Sequence, residues 1–255
     1  MNVDIGLLIL TAASIGCIHT LLGPDHYIPF VAMGAARKWS RRRTLAVTAV
    51  CGVGHVLGSV LLGALGLILG MSLDKLTWFE GFRGDIAAWL LLGFGLAYMA
   101  WGIKRAIRAR PHFHHHAHAD GTLHTHLHGH EGAHLHPHAP LQPHAHVHPH
   151  GHSHSHALPP LRSITPWALF VIFILGPCEP LIPLLMYPAA QHSVWGTAAV
   201  VLAFGAATIA TMLTVVYLAQ RGIERLPLDS AERYSHALAG AALSLCGLGI
   251  IFLGL

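Results

Sequence analysis

The sequence predicts an all-α polytopic membrane protein with six transmembrane helices, arranged as two inverted three-helix repeats with broken first helices. Hydrophobic residues make up 53% of the chain and charged residues only 10%, whereas soluble domains carry roughly 25% charged residues. Six apolar segments reach about the 20 residues that a membrane-spanning helix needs; they cover 3–35, 45–71, 86–106, 165–189, 194–219 and 235–255. Gly-Pro pairs interrupt the first and fourth segments, and proline breaks or kinks a helix because it lacks a backbone donor.

The two interrupted segments begin similar halves of the chain. GPDHYIPFVAMGAA follows residue 22, and GPCEPLIPLLMYPAA follows residue 175. We expect a first three-helix repeat at 1–106, a histidine-rich loop at 107–162 and a second three-helix repeat at 163–255. Because three spans is an odd number, the repeats would have opposite orientations. Inverted repeats with paired broken helices are typical of transporters, which bind their substrate near the midplane at the breaks.

Basic residues predict the orientation of the spans. The first, third and fifth loops contain 13 of the 15 Lys and Arg residues, and the second and fourth contain 2. The positive-inside rule places the odd loops in the cytoplasm. We therefore expect both termini outside the inner or plasma membrane and the histidine-rich loop inside the cell. This topology accounts for the net charge of +4, so the composition gives no reason to predict nucleic-acid binding.

Chemically active residues gather around the two breaks. Asp25 directly follows the first Gly-Pro pair, and Glu179 follows the second after Cys178; both are predicted to lie within spans. A charge at the centre of a span costs at least about 2.5–3.5 kcal/mol, which makes such a residue a candidate for function. His19 and His26 flank the first break, and His55 lies in the next span between glycines that permit close helix approach.

This set of side chains predicts a metal site. Imidazole is a ligand for nickel, cobalt, copper and zinc, and a carboxylate adds charge compensation. We expect His19, Asp25, His26 and His55 as ligands, with Glu179 and Cys178 from the second break as further candidates. An alternative is a haem held by His55 together with one histidine of the first span.

The predicted loop contains nineteen histidines between 112 and 156, many in His-x-His runs. Such a composition cannot build a hydrophobic core, and we expect it to be disordered. Its imidazoles would collect divalent metal ions. No zinc-ribbon pattern or disulfide framework accompanies them, since the four cysteines are scattered in apolar segments.

The chain resembles the nickel/cobalt transporter superfamily. The resemblance rests on HTLLGPDH at 19–26, on Gly54-His55 and on GPCEP at 176–180. It is closest to the six-span branch that includes urease-accessory-type permeases and nickel/cobalt efflux proteins. The family signature has four residues between the first histidine and Asp-His, whereas this sequence has five. The resemblance implies that His19, Asp25 and His26 select the metal and that His55 joins them from the next helix.

The function that follows is secondary active transport of a divalent transition metal across the bilayer, and we expect no enzymatic activity. Nickel or cobalt is the expected cargo, with zinc as an alternative, and no tightly bound cofactor is expected. A cytoplasmic histidine-rich loop would concentrate metal at the inward mouth, which favours efflux over import. An importer of the same family remains the alternative, and the oligomeric state is left open.

Overall fold

The fold is described from a computed structural model. It describes residues 5–108, 112–117, 123–128, 164–178, 180–190, 194–225 and 232–254. In chain order the elements are α1 Ile5–Leu22, a 3-10 turn Pro24–His26, α2 Ile28–Ala36, α3 Arg41–Ile68, α4 Leu73–Arg108, β1 His112–Ala117, β2 Leu123–His128, α5 Ile164–Leu175, α6 Leu181–Ala190, α7 Val194–Ile223 and α8 Ser235–Leu253.

The protein is an integral membrane protein built from helices, which confirms the coarse fold prediction. Within the described residues, five helices are long and apolar enough to cross a bilayer: α1, α3, α4, α7 and α8. Large apolar side chains cover their outer surfaces, for example Leu61 at 67% and Leu202 at 71% exposed. Such a surface is stable in contact with lipid. The predicted span at 165–189 corresponds to two short helices, α5 with 12 residues and α6 with 10.

Both predicted breaks are present in the structure. In the first half, α1 ends at Leu22, and the chain makes a 3-10 turn before α2 begins at Ile28. In the second half, α5 ends at Leu175 and α6 begins at Leu181. Pro24 and Pro177 lie in these gaps, where their missing N–H groups would otherwise interrupt a helical ladder.

Small residues bring the helices together. The α4 helix packs along α8, and α1 packs along α7, while α3 lies against α5 and α7. A Cβ atom on Gly240 of α8 would lie 2.3 Å from the backbone nitrogen of Met99 in α4. A Cβ on Gly102 would lie 2.4 Å from the nitrogen of Ala237. Only glycine permits this backbone approach, as at other membrane helix interfaces.

The α4 helix begins earlier than predicted. The apolar segment was expected to start at 86, but the helix begins at Leu73. Its first turns contain charged residues that lower the local hydropathy and mask the helix in the sequence. Among them, Glu80 is completely buried and forms an ion pair with Arg83.

The predicted histidine-rich loop is described only in part. Its residues 112–117 and 123–128 form an antiparallel pair of strands, in which His114 is opposite His126 and His116 is opposite His124. An irregular loop was expected for these twelve residues, and their alternating sequence instead suits a strand. Residues 129–163 lie outside the described residues, so the disorder predicted for them stays a prediction.

The basic loops meet at one end of the helix bundle. Lys38 pairs with Glu232, and Arg41 donates to Glu224 at 2.5 Å. The Lys38 ammonium lowers the pKa of the exposed Glu232 carboxyl. Arg233 donates from Nε to the carbonyl of Ala106 at 2.9 Å. The C-terminal ends of α2, α4 and α7 therefore lie on the same side of the protein.

Candidate metal centre

Three histidines converge where α1 breaks. His19 is in the last turn of α1, His26 ends the 3-10 turn, and His55 faces them from α3. The ring centroids of His19 and His26 are 4.8 Å apart, and those of His26 and His55 are 5.1 Å apart. One nitrogen from each ring can be chosen so that all three lie within 4.8 Å of one another.

The Nε2 atoms of these three rings are buried and have no hydrogen-bond partner in the structure. His26 and His55 are each only 2% exposed. Leaving a buried polar atom without a partner costs about 1–3 kcal/mol. Three such atoms on three neighbouring rings therefore indicate a missing partner that accepts lone pairs from nitrogen, and a metal ion meets that requirement.

The Nδ1 atoms of His26 and His55 fix the tautomers of these two rings. Nδ1 of His55 lies 3.3 Å from the carbonyl oxygen of Phe173. Nδ1 of His26 lies 3.2 Å from the carbonyl of Gly23 and 3.1 Å from a carboxylate oxygen of Asp25. Carbonyl and carboxylate oxygens only accept, so each Nδ1 carries the proton and each Nε2 presents a lone pair. Metal-bound histidines are oriented in this way by their outer partners.

Asp25 has a supporting position in this arrangement. Its carboxylate contacts Nδ1 of His26, on the side of the ring away from Nε2, and its side chain is 22% exposed. Asp25 and His55 also line a small cavity with Phe173, Gly176 and other residues of α4, α5 and α8. The cavity volume of about 20 Å³ is enough for roughly one water molecule.

Of the two donors predicted from the second break, the structure describes only Cys178, and it does not join the histidines. Cys178 is fully buried in an apolar cluster with Leu181, Val200 and Phe204, and it is not part of the group of converging ligand atoms. Glu179 lies outside the described residues. Among the described residues, the converging ligand atoms all come from the first half of the chain.

One group of functional side chains escaped the sequence prediction. Glu80 and Arg83 of α4, with Ser59 of α3, contact the second break at Gly176 and Cys178. Glu80 fell outside the apolar segment predicted at 86–106 and was not considered intramembrane. An acid and a base three residues apart, on one face of a helix that continues into an apolar span, is the signal that could have found them.

A family model described as the cytochrome C biogenesis protein transmembrane region matches residues 146–254. The match covers α5 to α8 but less than half of the chain. No curated protein and no solved structure matches.

This match corrects the functional prediction. The matching family is different from the nickel/cobalt transporter superfamily, so the predicted family is wrong. The function that depended on it, transport of nickel or cobalt by efflux or import, is wrong with it. The resemblance was misleading because Gly-Pro breaks followed by further prolines are shared by unrelated membrane folds, in which they solve the same backbone problem.

A haem between the histidines is not favoured either. Ligand pockets for molecules of that class are roughly 300–1,000 Å³ in volume, whereas the cavity beside His55 has a volume of about 20 Å³. The rings of His26 and His55 also meet edge to face with an interplanar angle of 86°, which leaves no room for a macrocycle between them.

Proposed function

We propose that this protein is a membrane component of the cytochrome c biogenesis type whose helical domain holds one transition-metal ion within the bilayer. The convergence of His19, His26 and His55, each with a buried Nε2 atom that has no partner, carries the proposal. The partial family match supports the biogenesis context.

The depth and geometry of the site suit a resident ion. His55 is 14 residues from Arg41, in the middle of the 28-residue α3 helix, so it lies about 21 Å from that end at 1.5 Å per residue. Bonds from metal to imidazole nitrogen are about 2.0–2.1 Å long, so two ligands on one ion lie roughly 3–4 Å apart. The nitrogens, within 4.8 Å of one another, need to move inward by only about 1 Å.

The chemistry of the donors defines the class of ion. Neutral imidazole binds zinc, copper and similar first-row metals. Three protein nitrogens leave a fourth coordination position open, as in metal centres that exchange a ligand. Asp25 supplies negative charge next to His26 and offsets part of the charge of a dication.

Metal binding is tested on purified protein from which residues 112–156 have been deleted, after circular dichroism has confirmed that it is folded. The deletion removes nineteen competing histidines. We expect one equivalent of Zn²⁺ to bind, and Cu²⁺ to show electron paramagnetic resonance hyperfine structure from nitrogen ligands. Both signals should disappear in His26→Gln/His55→Gln.

His236→Gln is the matched control. His236 is also an imidazole within the helical domain, but Tyr98 and Arg105 contact its two nitrogens at 2.8 and 3.0 Å. Its loss should leave one equivalent of bound metal. Stoichiometric binding that survives in His26→Gln/His55→Gln would refute the site.

We further propose that the helices form six spans as two inverted repeats, with α1–α2 and α5–α6 as the broken first spans. The pairing of helices supports this, since α1 packs on α7 as α5 packs on α3, while α4 and α8 pack on each other. The clustering of the basic loops at one end supports a cytoplasmic position for that end and for the histidine-rich segment, with both termini outside. Reporter fusions after Arg108 and after Leu253 would test this. Two fusions that report the same side of the membrane would contradict it.

A second candidate function is thiol exchange at Cys178. The matched region contains this cysteine in the Gly-Pro-Cys turn of the second break, and all four cysteines are free thiols. In this scheme the Cys178 thiol, which is fully buried in this structure, must first become exposed at the second break; its thiolate then attacks a disulfide of a partner protein, forms a mixed disulfide and releases one partner thiol. Trapping with an alkylating agent in intact cells would show a Cys178-dependent mixed disulfide. Finding none, in cells that oxidise and reduce other thiols, would count against it.

A further inference from the structure

A buried ion pair lies beside the second helix break. Glu80 of α4 is completely buried, and the side chain of Arg83 is 16% exposed. Arg83 donates from Nη2 to Oε1 of Glu80 at 2.7 Å. Charges within a membrane domain are costly and persist where they have a function. Neither residue contacts the three histidines, so metal binding by itself does not account for the pair.

The ion pair replaces backbone hydrogen bonds that the break removes. Oε1 of Glu80 accepts from the backbone N–H of Cys178 at 2.8 Å and from the hydroxyl of Ser59. Arg83 donates to the carbonyl oxygen of Gly176 at 3.1 Å and to Ser59 Oγ at 2.6 Å. Broken helices in a membrane need such partners for the freed backbone groups. The break is thus held from α4 on both sides of Pro177.

The same break touches the metal centre through His55. The carbonyl of Phe173, in the last turn of α5, lies 3.3 Å from Nδ1 of His55. A Cβ atom on Gly176 would lie 3.3 Å from that same nitrogen. The position of the α5 terminus therefore determines how the imidazole of His55 is turned and which nitrogen it presents.

We propose that Glu80 and Arg83 clamp the second helix break and are positioning residues for the metal centre, acting through Phe173 and His55. The part that concerns metal rests on the function proposed above. The part that concerns the break does not depend on it. The clamp explains why two opposite charges lie inside an apolar bundle next to a cavity that His55 lines.

Cysteine footprinting of the full chain tests the clamp without metal. A small membrane-permeable maleimide is applied, and mass spectrometry gives the alkylation rate of each cysteine. Cys178 is fully buried at the clamp, while Cys51 and Cys246 are buried in a separate apolar cluster. In Glu80→Gln we expect alkylation of Cys178 to rise at least tenfold, with Cys51 and Cys246 unchanged.

The matched control is Arg41→Gln, which breaks the exposed ion pair with Glu224 and should change none of the three rates. An equal rise at all three cysteines would show general loss of packing and would overturn the clamp, as would an unchanged Cys178. If Glu80→Gln does not fold, the milder Ser59→Ala and the neutral Glu80→Gln/Arg83→Gln give the same comparison, and protection of Cys178 in both would overturn the clamp.

The metal part is tested with the same substitutions in protein lacking residues 112–156, by competition for Zn²⁺ with a chromophoric chelator, with His55→Ala as the baseline. Loss of an outer partner of a metal site weakens binding by roughly 10–100-fold, and we expect this for Glu80→Gln but not for Arg41→Gln. If Glu80→Gln selectively exposes Cys178 but binds Zn²⁺ with wild-type affinity, the positioning role is refuted. Failure of the wild type to bind Zn²⁺ would refute the proposed function, and the footprinting would still decide the clamp.

Discussion

His55→Ala gives the most direct measure of the metal centre. The substitution removes one of three converging nitrogens and leaves His19 and His26, which belong to the first half's broken helix, in place. Four-ligand zinc sites in small domains bind with apparent free energies of about 10–16 kcal/mol, or roughly 3–4 kcal/mol for each ligand. At about 1.4 kcal/mol for each tenfold change, the Zn²⁺ dissociation constant should rise by roughly 10²- to 10³-fold.

The assay is competition with a chromophoric chelator in detergent, on protein lacking residues 112–156. His236→Ala serves as the reference, because it also removes an imidazole from the helical domain but leaves the centre intact. A dissociation constant for His55→Ala within threefold of the wild-type value would refute the site. So would an equal loss of affinity in both variants, since that would reflect damage to the fold.

Four further outcomes follow from the structure. Asp25→Asn should weaken Zn²⁺ binding about 10–100-fold, as loss of an outer partner does, because its carboxylate holds Nδ1 of His26; unchanged affinity in the same assay would contradict this. Zn²⁺ affinity should fall as the pH is lowered, because a protonated imidazole cannot bind metal; an affinity unchanged down to the lowest pH at which circular dichroism still shows folded protein would contradict histidine ligation. Gly240→Ala should destabilise the fold by about 1–3 kcal/mol through overpacking and so lower the thermal midpoint, because its Cβ would lie 2.3 Å from the α4 backbone. Gly81→Ala, whose Cβ would have nothing within 4 Å, should leave the midpoint unchanged. Arg83→Gln alone should cost about 3–5 kcal/mol by leaving Glu80 unpaired, and Glu80→Gln/Arg83→Gln should recover much of that; a double variant as unstable as the single one would show that the charges do not interact.

The helical membrane fold was predictable because the bilayer imposes it. Segments without charge, and prolines that stop a helix, are visible in any single sequence. The start of α4 was not predictable in the same way. Glu80 and Arg83 lower the hydropathy of their segment, and only their pairing in space shows that they lie inside the protein.

The histidines were found because three rings and a carboxylate in apolar segments need a common explanation. Their spacing along the chain placed His19 and His26 near one break, and the glycines around His55 predicted close approach by α3. The exclusion of Cys178 could not be predicted, because it depends on how α5 ends. There the backbone N–H of Cys178 turns toward Glu80, and the thiol lies in an apolar cluster instead of facing the rings.

Both breaks leave backbone groups without helical partners, but the polar side chains beside them come from different places. This difference bears on how the chain functions. At the first break, the side chains of Asp25 and His26 lie on the turn itself and belong to the proposed metal centre. At the second, α4 supplies the charges from outside the break. The family match begins at residue 146 and therefore contains the second break but none of the three histidines. In this interpretation the matched half positions the site. It does so through the carbonyl of Phe173, which contacts the imidazole of His55 in the unmatched half. Variants at Phe173 and Gly176 should therefore change metal affinity although neither side chain offers a ligand, whereas variants of α8 residues remote from the cavity should change stability alone.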